Sequence, residues 1–282
     1  MNWILTSYNK RSAKRYGWHP SWFGDTLTKF NIKLNESIKH FQLMHDLEVD
    51  GKVGPNTFRR ILAERDLKEA SNYVLVNGKQ VDIQWDVKQD IMPTNCFRTW
   101  RKEREPKMIV THWDATTSAA KCKRVLQARK ISTHFCIDND GVIYQYVDTN
   151  NVAWHARGAN NHSIGIDFTN AYYTKYEGWY QKKGFGPRPI CKDSKVHGIK
   201  LKPHLGYYRI QIEAYKKLLA VLCEQYNIPL QTPMIDEDTA CTGVFSEAAK
   251  GKYNGVVCHY HLTRNKIDCA GLDLKTIIEQ LH

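Results

Sequence analysis

Hydrophobic positions follow two different periods along the chain. In the first seventy residues they recur at helical spacing. Ile38, Phe41 and Met44 lie three residues apart behind Asn35, a residue type that can cap a helix start. The turn Val49-Asp50-Gly51 ends that helix. A second turn, Gly54-Pro55-Asn56-Thr57, opens another, with Asn56 as its cap and Phe58, Ile61 and Leu62 on one face. Short helices joined by glycine turns predict a small bundle with a minimal core, suited to binding rather than to chemistry.

Beyond residue 71 the period changes. YVLVNGKQVDI alternates about Asn77-Gly78, which predicts a hairpin with a two-residue turn. Met108, Ile109 and Val110 form a short apolar strand leading to His112. STHFCIDNDGVIYQYVD predicts two strands about Asn139-Asp140-Gly141, and SIGIDF a short buried strand. Residues 208–226 predict an amphipathic helix with Ile212, Tyr215, Leu218, Leu219, Leu222 and Tyr226 on one face. VVCHYHL predicts a strand, and residues 272–281 a closing helix. The expected fold class is mixed α/β: a central mixed β-sheet flanked by helices, preceded by a small helical-bundle domain. The expected domains are 1–70, a binding bundle; 71–106, a linker with a β-hairpin; and 107–282, the catalytic domain.

Lys and Arg number 41 against 29 Asp and Glu, a formal net charge of +12. The isoelectric point is about 9.2. Such a balance favours polyanionic partners: nucleic acid, an anionic membrane surface or bacterial cell wall. No nucleic-acid-binding pattern accompanies the charge, so nucleic acid is set aside. No run approaches ~18 apolar residues, which argues against a transmembrane helix. The opening MNWILTSYNKRSAKRYG has a short apolar start and no cleavage site, which predicts a protein that begins in the cytoplasm. Eight cysteines without a CxxC pair predict reduced, mostly buried thiols, Cys269 excepted because of its neighbours. Residues 170–208 hold eight Lys or Arg, two acids and eight aromatics. That insert reads either as a soluble surface loop or as a lip for an anionic polymer, with aromatics to stack on sugar rings.

The richest chemistry lies in VVCHYHLTRNKIDCAGLDL. His259, His261, Lys266, Asp268 and Cys269 crowd into eleven residues. That is half of a metal site, and His112 at its strand end is the outside candidate. One ligand on an early strand and two on a late strand and loop is the layout of a zinc hydrolase, which leaves a coordination position for water.

IKHFQLMHDLEVDGKVGPNTFRRIL resembles the peptidoglycan-binding domain found at one end of many cell-wall hydrolases. The likeness rests on Phe41-Gln42, Val49-Asp50-Gly51 and Val53-Gly54-Pro55-x-Thr57. THWDAT, STHFCIDNDGVIYQ, VAWHARGANNHSIGIDF and CHYHLTRNKIDCAGLDL occur in the order expected of zinc N-acetylmuramoyl-L-alanine amidases of the second type. That family includes phage lysozymes and peptidoglycan recognition proteins. Together the two modules look like a modular phage endolysin.

The resemblance implies Zn²⁺ held by His112, His259 and Cys269. His261 stands two residues from His259 and is an alternate, as is Asp268, because one branch of the family uses an Asp just after Lys-x. Lys266 is implied as the oxyanion partner, one residue out of register with the phage branch, where the lysine lies two before the Cys. Asp167 stands where many members place a Glu and is implied as general base, Thr133 replacing the Tyr that others use. His155 matches a substrate-contacting histidine; His134 and Cys258 read as core. The implied partner is bacterial peptidoglycan, contacted by a monomer that also meets the anionic envelope and leaves the host bacterial cytoplasm by holin-type release. The competing expectation is a non-catalytic peptidoglycan-recognition protein, in which the cysteine ligand is lost.

Overall fold

The computed structural model describes residues 2–24, 26–69 and 71–281; side chains of 2, 62, 63 and 65–69, and with them the expected place of Leu62, lie outside the description. The chain divides into two compact units. One is Met1–Glu69 with Glu177–Pro187, the other Ala70–Tyr176 with Arg188–His282.

The first unit is built on α1 (Asn2–Tyr16), α2 (Ile32–Met44) and α3 (Pro55–Glu69). Asn31, not Asn35, caps α2, accepting from the Leu34 amide at 3.1 Å. Asn35 lies one turn further in, buried, and accepts from Asn9 Nδ2 at 3.0 Å. α3 begins at Pro55, whose fixed φ and missing N–H suit a first turn, so Asn56 is already inside the helix. Trp18, Leu34, Ile38, Val53 and Phe58 form the core, whereas Met44 faces solvent. Gln42 explains the Phe-Gln and Asp-Gly pairs. Its Oε1 accepts from the Gly51 amide at 2.8 Å, and its Nε2 reaches Asp50 Oδ1 at 2.9 Å and Thr57 Oγ1 at 3.0 Å. Gly51 has φ +73°, a conformation cheap only for glycine.

Part of the basic insert belongs to this unit. Arg59 stands over the Phe185 ring at 4.7 Å, and Lys183 lies 5.4 Å from the Tyr16 ring. A Cβ on Gly184 would come within 2.5 Å of the Pro55 carbonyl, so only glycine permits this approach.

The second unit is a seven-stranded mixed sheet: β1 (Ser71–Val76), β2 (Lys79–Gln89), β3 (Met108–Trp113), β4 (Phe135–Ile137), β5 (Ile143–Gln145), β6 (Ser163–Phe168) and β7 (Gly255–Cys258), in spatial order β1-β2-β5-β4-β6-β3-β7. β4, β6, β3 and β7 run parallel, β5 runs antiparallel to β4, and β2 joins parallel to β5. The β1–β2 hairpin forms around Asn77-Gly78, both at positive φ.

That hairpin is a correction to the expected linker at 71–106: it is an edge of the sheet. Val74, Val76, Ile83 and Val87 are buried in the main core, and hydrophobic alternation drives that face inward. The helix Arg209–Tyr226 covers the same face with Tyr215, Leu218, Leu219 and Leu222. Met108, Val110 and Val257 point the other way, onto Ala248 and Tyr253. The run VVCHYHL is a strand only through Cys258; His259–His261 is a 3₁₀ turn.

Candidate metal centre

The parallel neighbours β6, β3 and β7 aim their carboxyl ends at one place, where open α/β sheets characteristically hold ligands. β3 delivers His112, whose register partner on β6 is Asp167. β7 ends one residue before His259. Nδ1 of His112 lies 3.0 Å from Nδ1 of His259 and 3.1 Å from Oδ2 of Asp268. The third side, His259 Nδ1 to Asp268 Oδ2, is 3.0 Å. All three residues are buried. Metal–ligand bonds of about 2.0–2.2 Å in a tetrahedron space the donor atoms about 3.3–3.6 Å apart, so the triangle is a few tenths of an ångström tighter than a zinc ligand set and opens to it by small side-chain shifts.

A proton inventory gives the same answer. Ser163 Oγ donates its one proton to the Ala159 carbonyl at 2.8 Å. It therefore accepts from His155 Nε2, at 3.3 Å. His155 is left with a bare Nδ1, which lies 2.9 Å from His112 Nε2 and takes that proton. His112 Nδ1 is then bare and faces a carboxylate oxygen. Two such acceptors repel unless a cation lies between them. Burial, then the neighbouring His259, push His112 down to about 4 despite the pull of Asp268. Burial alone would raise Asp268, but its placement against His112 and His259 outweighs that and holds it below the usual carboxylate range. Neutral His112 and an ionised carboxylate are the protonation states a metal site requires.

One expected ligand changes. Cys269 is not brought to the histidines; it packs in the apolar core beside Cys258, and burial, then Cys258, raise its thiol well above the ordinary range. Asp268 takes the place, because a carboxylate needs partners that an apolar core cannot offer. With Asp268 as third ligand, Lys266 stands two residues before it, and the apparent register error disappears. His261 is turned away: its Nδ1 accepts from the Cys258 amide at 2.9 Å and its Nε2 donates to the Cys241 carbonyl at 2.8 Å.

His112, His155, Asp167, His259, Lys266 and Asp268 share one cleft of about 230 Å³. Asp167 is nearly fully buried, with Cys122 Sγ 3.7 Å from its Oδ2. Burial, then Asp114 and Asp268, raise its carboxyl well above the usual range, while Lys266 pulls it down. His155, expected to touch substrate, lies on the cleft wall with both ring nitrogens engaged by the protein, so it orients His112. Its ring lies against Gly165, where a Cβ would come within 2.7 Å. A glycine inside the strand SIGIDF is the sequence signal of such an approach. Ser163 carried no local signal. His134 is a satisfied core histidine: Nδ1 accepts from the Gly165 amide at 3.0 Å, and Nε2 donates to the Asn151 carbonyl at 3.1 Å.

Two histidines and a carboxylate on one cleft, with a raised acid and a lysine beside them, define the candidate centre of a metal-dependent hydrolase. The chain belongs to the N-acetylmuramoyl-L-alanine amidase family, whose family model matches residues 102–268. A peptidoglycan binding domain matches residues 14–61, inside the first unit.

Among solved structures, N-acetylmuramoyl-L-alanine amidase LysC from Clostridium intestinale URNW is similar at 18% identity and TM-score 0.39, over 69% of this chain and 97% of its own. The Ph2119 endolysin from Thermus scotoductus MAT2119 bacteriophage Ph2119 is similar at 16% identity and TM-score 0.39, over 66% of this chain and 89% of its own. Staphylococcus aureus hydrolase AmiA is similar at 12% identity and TM-score 0.43, over 69% of this chain and 82% of its own. No curated protein matches the chain.

Proposed function

We propose that the protein is a zinc-dependent N-acetylmuramoyl-L-alanine amidase working as an endolysin. It hydrolyses the amide between the lactyl group of N-acetylmuramic acid and L-alanine in peptidoglycan. The observation that carries this reading is the triangle of His112 Nδ1, His259 Nδ1 and Asp268 Oδ2. Zinc held there supplies Lewis acidity to the scissile carbonyl and to the attacking water.

The chain's own residues do the rest. Asp167, its carboxyl pKa raised by burial, takes a proton from the water and returns it to the leaving nitrogen of L-alanine. The Lys266 ammonium faces the charge that develops on the carbonyl oxygen. His155 keeps His112 turned so that Nδ1 stays free of protons. The first unit holds the enzyme on insoluble wall and raises its local concentration. Contact with an anionic envelope is supported by α1, which has no acidic residue and exposes Trp3, Ile4, Lys10, Arg11, Lys14 and Arg15 along one stripe. No described helix is long and apolar enough to cross a membrane. Action as a monomer, starting in the host cytoplasm and released by a holin, belongs to the same proposal.

The test is a digest of purified peptidoglycan with and without a zinc chelator, read for new alanine amino groups and for new reducing sugars. Free amines that vanish with chelator and return with zinc are expected. Reducing ends without amines would sink the amidase reading.

A further inference from the structure

We propose that His197 is a positioning residue for Lys266, delivered by the basic insert to hold the loop that carries this lysine. The proposal rests on the reading of Lys266 as the oxyanion partner. The short strands Lys195–Val196 and Ile199–Lys200 pair antiparallel about His197-Gly198. Both turn residues are left-handed, with φ +55° and +79°. That is a two-residue turn whose twist suits a hairpin, and histidine is among the side chains that tolerate it. The His197 amide donates to the Thr242 carbonyl at 2.8 Å, which fixes the hairpin tip. The His197 ring stands edge-on to Tyr260, 6.4 Å between centroids.

From that anchored tip, His197 Nε2 lies 2.8 Å from the carbonyl oxygen of Lys266. A carbonyl can only accept, so the proton is on Nε2. The loop has little else to hold it. Residues 264–266 are exposed. The bonds made within the loop are long: Lys266 N to Thr263 O at 3.3 Å, and Asn265 N to Thr263 Oγ1 at 3.4 Å. Among the described residues, the hydrogen bond reaching the 264–266 backbone from elsewhere in the chain is the one from His197. Lys266 lines the cleft two residues before Asp268. A long, flexible side chain serves a transition state only as well as its backbone is placed. The hairpin supplies that placement without touching substrate or metal.

The experiment uses the full-length, zinc-loaded protein with His197→Ala, His197→Gln and His197→Phe. Gln keeps an N–H at the distance of Nε2; Phe keeps the ring against Tyr260 without a donor and serves if the Ala variant does not fold. The expected result for Ala and Phe is kcat lower by about 3–10-fold with KM and bound zinc unchanged, most of the rate returning with Gln. Hydrogen exchange of the 263–268 amides should quicken in Ala and Phe and not in Gln. In a Lys266→Ala background, His197→Ala should cost nothing further. Unchanged kcat and exchange in the Ala and Phe variants, or an equal loss without Lys266, would overturn the proposal. If the wild type releases no amines the amidase reading falls, and the exchange measurement still decides whether His197 holds the loop.

Discussion

An ionised carboxylate is costly to bury without hydrogen bonds or a cation, whereas a thiol enters an apolar core easily. That difference separates Asp268 from Cys269, which are adjacent in the chain and were both candidates. Asp268→Ala should lose zinc and at least about 100-fold in kcat/KM, since it removes a ligand and leaves two imidazoles to hold the ion alone. Cys269→Ala should keep both zinc and activity while losing on the order of 1 kcal/mol of stability from the small cavity. Metal analysis and steady-state rates on the two variants check this. The reverse pattern would restore the thiolate ligand.

The buried histidines away from the cleft give a second expectation at this scale. Burial, then Arg104, hold His134 at about 3, against an ordinary value of 6.5. Burial holds His261 at about 4, partly opposed by its bond to the Cys241 carbonyl. Below pH 6.5 the unfolded chain takes up protons that the folded chain refuses. Their contribution is therefore complete above pH 6.5 and is lost as pH falls toward 4. The share of the unfolding free energy carried by His134 and His261 should drop on the order of 2–4 kcal/mol between pH 7.5 and pH 5, measured by urea titration of the metal-free protein as its difference from a variant with both histidines changed to glutamine. The carboxyls of Asp138 and Asp167, raised by burial, shift the total the other way and cancel in that difference. A flat difference across that range contradicts the expectation. Of the residues that line the cleft, His112, His259, Asp167 and Lys266 were legible because each sits at a strand end or in a marked loop. The choice of Asp268 was not, since spacing alone cannot tell which of two consecutive side chains faces the cleft and which the core.

At the scale of elements, the strands that carry chemistry were readable from period-two patterns and the turn dipeptides between them. What escaped was pairing. Nothing local in YVLVNGKQVDI says that it joins β5, more than fifty residues away in sequence, because sheet partners are set by packing. Deleting residues 71–106 should leave β5 as a bare edge and uncover the main core where Val74, Val76, Ile83 and Val87 pack. Such a protein is expected to be insoluble, or to melt without a cooperative transition by circular dichroism. Wild-type melting after the deletion would return the hairpin to the status of a linker. The helix start at Asn31 was missed for a similar reason: Asn35 has the better local pattern, but its side chain is occupied by Asn9 of α1.

Over the whole molecule, a wall-binding unit and a hydrolase unit share one chain that crosses between them more than once, since Glu177–Pro187 leaves the second unit to complete the first. The sequence made the two modules legible, but neither the place of residues 71–106 in the second unit nor this exchange. The insert there reads as basic and aromatic, and composition does not say which unit it packs in. Several of its aromatics turn out to be internal: Tyr180 and Tyr207 are buried, and Tyr172 stacks on His204.

The central claim is that His112, His259 and Asp268 bind a zinc ion. X-ray absorption at the zinc edge of the loaded, substrate-free enzyme addresses it most directly. The account predicts a first shell of nitrogen and oxygen at about 2.0–2.2 Å, with imidazole scattering from two histidines. A sulfur shell at about 2.3 Å would contradict it, because that ligand could only be a cysteine thiolate such as Cys269.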